Sequence, residues 1–291
     1  MARSDVTGVL IGLVGHGIQR SHTPLLHQRE ADRQGVRLTY KIIDSFDHGL
    51  AADDLPDVLR WARILGYRGL NVTHPFKQAI VQYLDELVGE ARVLGSVNTL
   101  VFDNGAIRGY NTDATGFSRS FERDFADVPK DHVVQIGAGG AGTAVAYALL
   151  SLDVRHLTLF DLDVTRAARL ADLLGTEFGA GRVTVRVQPG LPAALAKADG
   201  LVNATPMGMA QHPGSPVSAA DLRKEMWVAD IVYRPADTGL LQAARSVGAP
   251  TLHGGGMSVY QAAAAYEHFT GRPADVEAML ADSAELLESG Y

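Results

Sequence analysis

The chain has 291 residues, of which 46% are hydrophobic, so it is long enough for two ordinary domains and apolar enough to give each a core. Its formal net charge of −7 argues against nucleic acid or an anionic membrane surface as the main partner. It has no cysteine, which excludes a disulfide framework and a thiolate metal site and favours a reducing compartment, the cytoplasm.

The first apolar run, Val9 to Gly15, reads as a strand. It is short and broken by glycine, and no small-residue cleavage pattern follows it, so we do not interpret it as a secretion signal. No run approaches the roughly 18 apolar residues of a membrane span. We therefore expect a globular protein with no membrane partner.

Short apolar runs alternate with helical patterns, a rhythm typical of the α/β class. In the first part, the predicted strands are Val9 to Val14, Leu38 to Ile43, Gly69 to Val72 and Val97 to Phe102. The predicted helices between them are Leu25 to Gln34, Leu55 to Leu65 and Phe76 to Val88. The Asn104-Gly105 pair then predicts a tight hairpin turn.

A polar run that ends at Asp113 resembles a hinge, and a helix is predicted over Thr115 to Phe125. A second α/β series follows from His132. Its predicted strands are Val133 to Ile136, Leu157 to Phe160, Val183 to Val187, Gly200 to Asn203 and Trp227 to Val232. Helices beginning near Ser258 and Pro273 close the chain.

The run "VVQIGAGGAGTAVAYALL" contains the strongest local signal. A predicted strand leads directly into a G-x-G-x-x-G pattern that opens an alanine-rich helix, which is the context of a dinucleotide-binding turn. We assign the tight turn to Gly137, the approach of a pyrophosphate to Gly139 and close helix packing to Gly142. The phosphates would then lie on amide groups at the helix N-terminus.

Asp161 ends the next predicted strand, 19 residues after Gly142. A carboxylate there would bind the free ribose 2′-OH of NAD and repel the 2′-phosphate of NADP. Leu162 and Asp163 follow in place of basic residues, which also favours NAD. Arg166 leaves NADP open, because it could reach the adenosine as well as stay solvated or pair with Asp163.

The stretch "GLNVTHPFKQAI" contains a lysine in an unexpected place. Thr73 reads as a helix N-cap and Pro75 as a first-turn residue of the helix predicted from Phe76. Lys77 would then lie in the first turn, where the helix dipole disfavours a cation, on a side that faces the protein. The plain interpretation is a snorkelling lysine with a solvated ammonium, and the alternative is a functional amine.

Four polar residues follow or end predicted strands, namely Ser21, Thr73, Asn98 and Asp113. Each alone has a structural explanation, because hydroxyls form caps and turns and Asp113 would cap the helix after it. Ligands of open α/β sheets bind at the carboxyl ends of strands, however, so the four together favour a binding cleft.

Eight motifs span nearly the whole chain: "SHTP", "GLNVTHPFKQAI", "LGSVNTLV", "GYNTDATGF", "VVQIGAGGAG", "VNATPMGM", "DIVYRP" with Thr238, and "GGGMSVYQAA". In this order they resemble the shikimate dehydrogenase family. The closest resemblance is to the NAD-preferring quinate/shikimate dehydrogenase branch, because the first motif carries Thr23 and position 162 lacks the arginine of NADP-using members. Two departures from common family patterns are Thr23, in a Ser-x-Ser-Pro motif, and His253, where many members have aspartate.

The resemblance implies an α/β fold of two domains and NAD-dependent oxidation of the ring C3 hydroxyl of quinate or shikimate to the 3-dehydro acid. The substrate domain would comprise residues 1–112, completed by the C-terminal helices in residues 256–291. The Rossmann dinucleotide-binding domain would comprise residues 113–255, and the cleft between the domains would hold the reaction. We expect a monomer or homodimer whose partner is the small hydroxy acid.

The resemblance also implies roles for individual residues. Lys77 and Asp113 match the family's catalytic pair, and we expect Lys77 to transfer the proton while Asp113 orients it. The residues that match substrate contacts are Ser21 and Thr23 for the carboxylate and Thr73, Asn98 and Gln261 for the ring hydroxyls. The cofactor would be bound by Gly137, Ala138, Gly139, Gly140, Ala141, Asp161, Arg166, Thr205, Pro206, Met207, Gly208, Met209, Val232 and Gly254.

Alternatives remain at this point. Within the family, the alternative is an NADP-dependent biosynthetic shikimate dehydrogenase. Outside it, a non-catalytic nucleotide-binding sensor would keep the same fold, and a Rossmann methyltransferase would share the glycine-rich turn and the ribose acid. The methyltransferase needs no converging lysine and aspartate, which argues against it. The ten histidines show no metal-ligand spacing, so we expect no metal.

Overall fold

The computed structural model describes residues 8–288, which form two compact units of mixed α/β structure. The first unit comprises the residues up to Thr112 together with those from Gln261 onward, and the second runs from Asp113 to Tyr260. Within residues 8–288, every helix is too short or too polar to cross a membrane.

The first unit is built on a six-stranded sheet. Its strands are β1 (Val9–Gly15), β2 (Leu38–Asp44), β3 (Gly69–Val72), β4 (Glu86–Leu87), β5 (Thr99–Asp103) and β6 (Ala106–Tyr110). The strand order is β2-β1-β3-β5-β6-β4, in which β1, β2 and β3 are parallel and β5 is antiparallel to both its neighbours. Its first four helices are α1 (Thr23–Arg33), α2 (Ser45–His48), α3 (Leu55–Ile64) and α4 (Glu90–Leu94).

The second unit is built on a six-stranded parallel sheet. Its strands are β7 (His132–Ile136), β8 (His156–Phe160), β9 (Val183–Arg186), β10 (Gly200–Asn203), β11 (Trp227–Asp230) and β12 (Thr251–His253). The next helices along the chain are α5 (Thr112–Asp124), α6 (Gly140–Ser151), α7 (Val164–Phe178), α8 (Leu191–Leu195) and α9 (Gly239–Ser246). The chain closes with α10 (Gly255–Thr270) and α11 (Val276–Glu288).

The strand order of the second sheet is β12-β11-β10-β7-β8-β9, with every neighbouring pair parallel. Renumbered from its first strand, this is the 3-2-1-4-5-6 order of the Rossmann fold. The order reverses between β7 and β10, which makes the carboxyl ends of these two strands the expected ligand position. The central strands read as continuous apolar runs because both faces of the sheet are covered.

Most predicted elements are confirmed to within about two residues, and the α/β fold class is confirmed. Asn104 and Gly105 form the hairpin turn between β5 and β6, both with positive φ. Because β5 begins two residues later than predicted, Asn98 precedes the strand. Asp113 lies inside the first turn of α5 and is not its cap, and an acid there is stabilised by the helix dipole.

The α-helix predicted from Phe76 to Val88 is wrong. The segment forms turns, a 3-10 helix over Ala79–Tyr83 and strand β4, which pairs with β6. The carbonyl oxygen of Lys77 accepts a hydrogen bond from Val97 N at 2.8 Å and so is not available for an α-helical turn. Tertiary pairing therefore outweighs the local helical pattern. Thr73 caps no α-helix, and Lys77 does not oppose a helix dipole.

His27, on α1, is fully buried against Tyr40, Tyr266 and Phe269. Its Nδ1 lies 3.0 Å from the carbonyl oxygen of Thr23, and because a carbonyl can only accept, Nδ1 carries the proton. Burial lowers the pKa of His27 to about 4, although the Thr23 carbonyl opposes this shift. The imidazole is therefore neutral at pH 7.

We predict that His27 makes the folded protein sensitive to acid. The unfolded chain binds a proton on this ring near pH 6.5 and the folded chain near pH 4, so the free energy of unfolding falls as the pH falls through this window. The expected loss is about 2 kcal/mol at pH 5 and about 3 kcal/mol below pH 4. Urea unfolding of wild type and His27→Phe at pH 7 and pH 5 measures it.

The His27→Phe variant should lose less stability on acidification than wild type does. His48→Gln, at an exposed position on α2, is the matched control and should lose as much as wild type. Equal losses in wild type and His27→Phe would contradict the assignment.

Candidate active site

The carboxyl edge of the first sheet brings several predicted substrate residues together. Because β1 and β3 are parallel neighbours, the segments that carry Ser21 and Thr73 leave the sheet at the same edge. The backbones of these segments are joined, since His16 N donates to the carbonyl oxygen of His74 at 3.0 Å. Strand β5 is antiparallel to β3, so Asn98, which precedes β5, lies at this edge too.

Lys77 lies in the turn region after β3 and is half-buried. The hydrogen bond from Val97 N to its carbonyl oxygen fixes its backbone beside the residue that precedes Asn98. Thr73 is fixed in the same way, because its N donates to the carbonyl oxygen of Val14 at 2.9 Å. One sheet edge thus holds the backbones of Thr73 and Lys77, which are four residues apart, and of Asn98, which is distant from both in sequence.

Ser21 lies in the loop between β1 and α1, and Thr23 is the first residue of α1. Ser21 Oγ accepts from Thr23 N at 3.3 Å. Asp44, at the end of β2, holds the start of this loop by accepting from Gly17 N at 2.8 Å and Ile18 N at 2.7 Å. Burial raises the pKa of Asp44, but the backbone hydrogen bonds outweigh burial and lower it. An ionised carboxylate therefore fixes the loop.

Asn98 and Gln261, both predicted to contact ring hydroxyls, lie together. Asn98 Nδ2 is 3.2 Å from Gln261 Oε1. Thr112 joins them: its N donates to Asn98 Oδ1 at 2.8 Å, its Oγ1 accepts from Asn98 Nδ2 at 2.9 Å, and its hydroxyl lies 3.0 Å from the carbonyl oxygen of Gln261. Asp113 is the next residue and the first of the second unit. Lys77 and Asp113 belong to different units, and their meeting stays a prediction.

The glycine-rich turn after β7 has the geometry expected of its glycines. Gly137 has a φ of +101°, and a Cβ there would lie 2.5 Å from the carbonyl oxygen of Ala204. At Gly142 a Cβ would clash with the carbonyl oxygen of Gly137, so the helix packs close to the turn. A Cβ at Gly139 would meet nothing within 4 Å, which leaves that backbone open to a ligand. This cradle fits a dinucleotide pyrophosphate at the N-terminus of α6.

Gln135, inside β7, supports the turn and was missed by the sequence analysis. Its side chain is fully buried, and its Nε2 donates to the carbonyl oxygens of Gly137 and Gly142, each at 2.8 Å. One amide thus ties the turn to the first residues of α6. A glutamine in the middle of the apolar run "VVQIG" was the available signal.

Asp161 follows β8, and its carboxylate accepts from Ala138 N at 2.6 Å and Asp163 N at 2.8 Å. Arg166 pairs with it at 2.6 Å and lies 4.0 Å from Asp163. Burial raises the pKa of Asp161, but the hydrogen bonds from Arg166 and the backbone outweigh burial and lower it. The arginine is thus held by carboxylates, while Leu162 is 90% exposed.

The segment Thr205 to Met209 follows β10 and is held by Asn203, at the end of that strand. Asn203 Oδ1 accepts from Thr205 Oγ1 at 2.7 Å, and its Nδ2 donates to the carbonyl oxygen of Met207 at 2.9 Å. Asn203 is fully buried and was also missed by the sequence analysis.

Asp230, at the end of β11, holds the next predicted cofactor position, Val232. Its carboxylate accepts from Val232 N at 3.0 Å, Thr238 Oγ1 at 2.7 Å and Asn203 Nδ2 at 2.9 Å. Burial raises the pKa of Asp230, and these hydrogen bonds oppose the shift. Gly254 follows β12, where a Cβ would clash with the carbonyl oxygen of Ile231. All predicted cofactor segments therefore leave the second sheet at its carboxyl edge.

No group of three or more histidine, cysteine, aspartate or glutamate side chains within residues 8–288 is arranged to hold a metal ion.

Comparisons with known proteins agree with these features. The family model "Shikimate dehydrogenase substrate binding domain" matches residues 13–100, and "Shikimate 5'-dehydrogenase C-terminal domain" matches residues 254–281. A shikimate dehydrogenase (NADP(+)) of Streptomyces avermitilis is 50% identical and covers 95% of each chain. A quinate/shikimate dehydrogenase (NAD(+)) of Corynebacterium glutamicum is 45% identical and covers 93% of this chain and 96% of its own.

Two solved structures extend the comparison. Quinate dehydrogenase from Corynebacterium glutamicum in complex with NAD is 44% identical, with a TM-score of 0.91 over 97% of this chain and 99% of its own. Shikimate 5-dehydrogenase from Listeria monocytogenes in complex with shikimate and NAD is 30% identical, with a TM-score of 0.85 over 96% of this chain and 98% of its own. The expected family resemblance is confirmed.

We predict that alanine lowers the stability of the protein at Gly142 and the affinity for NAD at Gly139. Gly142→Ala should lower the free energy of unfolding by about 2 kcal/mol, because the new methyl group meets backbone. Gly139→Ala should change it by less than about 0.5 kcal/mol. The same variant should weaken NAD binding at least tenfold, or ~1.4 kcal/mol, because the methyl group would stand where the pyrophosphate approaches.

Thermal unfolding and calorimetric titration with NAD measure the two effects. Gly175→Ala, in the interior of α7 with open space around it, is the matched control and should stabilise by up to about 1 kcal/mol without affecting NAD. Unchanged NAD affinity in Gly139→Ala would count against a pyrophosphate at this turn.

Proposed function

The chain belongs to the shikimate dehydrogenase family, whose members are oxidoreductases that act on a hydroxyl group, and we propose that it oxidises the ring C3 hydroxyl of quinate, shikimate or both with NAD. The product is the corresponding 3-dehydro acid, and the hydride transfer is reversible.

The observation that carries this proposal is the polar edge of the first sheet. Asn98 and Gln261 present two joined amides at an edge where Thr73 and Lys77 also have fixed backbones. A polyhydroxylated ring offers matching hydroxyl groups to such amides. The hydroxyls of Ser21, in the loop held by Asp44, and of Thr23, at the start of α1, are proposed to bind the substrate carboxylate.

The proton step is assigned to Lys77 and Asp113. Bound at the proposed site, NAD would supply the hydride acceptor for the carbon atom that bears the reacting hydroxyl. We assign the hydroxyl proton to the Lys77 amine and the orientation of that amine to the Asp113 carboxylate. As the amine takes up this proton it becomes an ammonium, and its positive charge stabilises the negative charge that develops on the reacting oxygen.

The residues after β8 support NAD as the cofactor. The carboxylate of Asp161 accepts hydrogen bonds and would repel a 2′-phosphate. Arg166, the cation nearest in sequence, is paired with that carboxylate, which uses the charge that a phosphate would need. Position 162 holds the exposed Leu162 and offers no charge.

NADP is the second candidate cofactor, because Arg166 is a cation beside the predicted ribose acid Asp161. The guanidinium would have to leave Asp161 to bind a 2′-phosphate, and it is half-exposed, so the exchange is sterically open. NADP-dependent relatives at 50% identity stand beside the NAD-dependent ones at 45%.

Initial rates at 340 nm test the proposed function directly. Quinate and shikimate are each offered with NAD and with NADP, and we expect NADH formation with at least one acid. Absence of turnover with all four pairs, in a protein that still binds NAD, would instead support a nucleotide-binding sensor.

We predict that Lys77→Ala lowers kcat by about 100-fold or more, because the proton loses its acceptor. The Lys77→Arg variant should also be impaired, since a guanidinium stays protonated near neutral pH and cannot accept the hydroxyl proton. The Kd for NAD should stay within about twofold, because Lys77 belongs to the proposed substrate site. Initial rates and NAD titration provide both values.

Lys197→Ala is the matched control, because Lys197 is an exposed lysine of the second unit. It should keep wild-type turnover. A Lys77→Ala enzyme with wild-type kcat would remove Lys77 from the mechanism.

We predict that the double substitution Asp161→Asn with Leu162→Arg shifts the cofactor preference toward NADP. The change removes a repelling carboxylate, releases Arg166 and adds a second guanidinium for the 2′-phosphate. The kcat/KM for NADP should rise about tenfold or more, and that for NAD should fall.

Asp172→Asn, at an exposed position on α7, is the control and should leave both values unchanged. A wild-type enzyme that already prefers NADP, or a double variant with no gain for NADP, would contradict the role given to Asp161.

A further inference from the structure

We propose that Tyr40, Asn71 and Thr99 are positioning residues of the substrate site. They form one line of buried hydrogen bonds, here called the positioning line. We infer that this line fixes the orientation of the Asn98 amide, that is, which neighbours its Oδ1 and its Nδ2 face. The inference rests on the proposed function, because its consequence is the affinity for the hydroxy acid. None of the three is needed to contact substrate or cofactor for this effect.

The positioning line crosses the buried, apolar part of one face of the first sheet. By strand register, Tyr40 on β2 is opposite Ile11, Asn71 on β3 is opposite Leu13, and Thr99 on β5 is opposite Asn71. Ile11 and Leu13 lie two apart on β1 and so share a face, where they belong to a buried apolar cluster with Tyr40. The relative exposures of Tyr40, Asn71 and Thr99 are only 7%, 5% and 0%.

Polar groups buried among apolar side chains are costly unless they are paired. Replacing a whole group of buried polar side chains by apolar ones is often neutral or stabilising, so stability alone does not explain why the positioning line is polar. A polar line is instead suited to specifying orientation, because each member offers only certain donors and acceptors.

The direction of each hydrogen bond follows from atoms that can act in only one way. Asn71 Nδ2 lies 3.4 Å from the carbonyl oxygen of Asn98, which only accepts, so the Asn71 amide nitrogen is on that side. Its Oδ1 therefore accepts from Tyr40 Oη at 2.7 Å. Asn71 Nδ2 also donates to Thr99 Oγ1 at 3.0 Å, which leaves the Thr99 proton for Asn98 Oδ1, at 3.1 Å.

The other end of the positioning line sets the Asn98 amide. Thr112 N, at the start of α5, can only donate, and it lies 2.8 Å from Asn98 Oδ1. Together with the hydroxyl of Thr99 on β5, it places two donors on this oxygen. Asn98 Nδ2 is then the atom that donates to Gln261 Oε1. Because Gln261 Oε1 faces Asn98, the NH₂ group of Gln261 is directed away from Asn98. A flipped Asn98 would set its NH₂ group against two donors.

Loss of the Thr99 hydroxyl is the sharpest test, because valine has nearly the same shape. In Thr99→Val, one of the two donors that hold Asn98 Oδ1 is lost. We expect the KM for the hydroxy acid to rise roughly 3- to 10-fold, the effect of one hydrogen bond, while the KM for NAD stays within about twofold. Thr99→Ser keeps the hydroxyl and should restore the hydroxy-acid KM to within about twofold of wild type.

Thr184→Val is the matched control, because Thr184 on β9 also loses a hydrogen-bonded hydroxyl, to His156, but lies in the second unit. It should leave both KM values unchanged. The proposal is overturned if Thr99→Val keeps a wild-type KM for the hydroxy acid, or if Thr99→Ser is as impaired as Thr99→Val.

Tyr40→Phe, at the far end, keeps the ring and removes only the hydroxyl, so it stays informative should Thr99→Val fold poorly. We expect a smaller rise in the same KM. Hydrogen exchange of the Asn98 side-chain amide, followed by NMR without any ligand, gives a second measurement. It should be at least about tenfold faster in Thr99→Val and in Tyr40→Phe than in wild type.

The hydrogen-exchange measurement tests the positioning line independently of the proposed function, because it needs no turnover. A wild-type protein that oxidises neither acid contradicts the proposed function, whereas unchanged Asn98 amide exchange in both variants contradicts the positioning line.

Discussion

Strand polarity is the constraint on which both halves of the proposed site depend. Parallel strands place their carboxyl ends at one edge of a sheet, so segments distant in sequence leave the sheet side by side. In the first unit this edge brings Thr73 and Lys77 next to the residues around Asn98. In the second unit it gathers the glycine-rich turn at Gly137 and the acid at Asp161. The proposed site residues therefore lie in segments whose positions are set by the strand order of the two sheets.

Buried polar side chains that need not touch any ligand hold these loops. Asp44 accepts backbone amides of the loop that carries Ser21, and Gln135 donates to two carbonyl oxygens of the glycine-rich turn. Asn203 donates to the carbonyl oxygen of Met207 in the segment after β10, and Asp230 accepts from Val232 N in the segment after β11. The two side chains are also hydrogen-bonded to each other. Each is buried at the end of a strand or inside one, so it transmits the rigidity of the sheet to the loop.

The sequence predicted well those features whose causes are local. The turn at Gly137 and the hairpin at Asn104 depend on the conformations that a few adjacent residues can adopt. The helix predicted over residues 76–88 was wrong because its backbone pairs with residues distant in sequence. Asp44 and Thr99 were missed for the same reason, since Asp44 accepts from the loop after β1 and Thr99 accepts from Asn71 on β3. A single buried aspartate or threonine leaves no periodic pattern. The family resemblance supplied candidate site residues, such as Gln261, that no local rule predicted.

The central claim is that the amine of Lys77 and the carboxylate of Asp113 meet at the reacting hydroxyl beside NAD. A crystal structure of the ternary complex with NAD and shikimate tests it most directly. We expect both groups within hydrogen-bond reach, roughly 3 Å, of the C3 hydroxyl or of each other, with nicotinamide C4 facing the carbon atom that bears this hydroxyl. A complex in which either group points away from the bound ring, with another side chain on the hydroxyl, would contradict the claim.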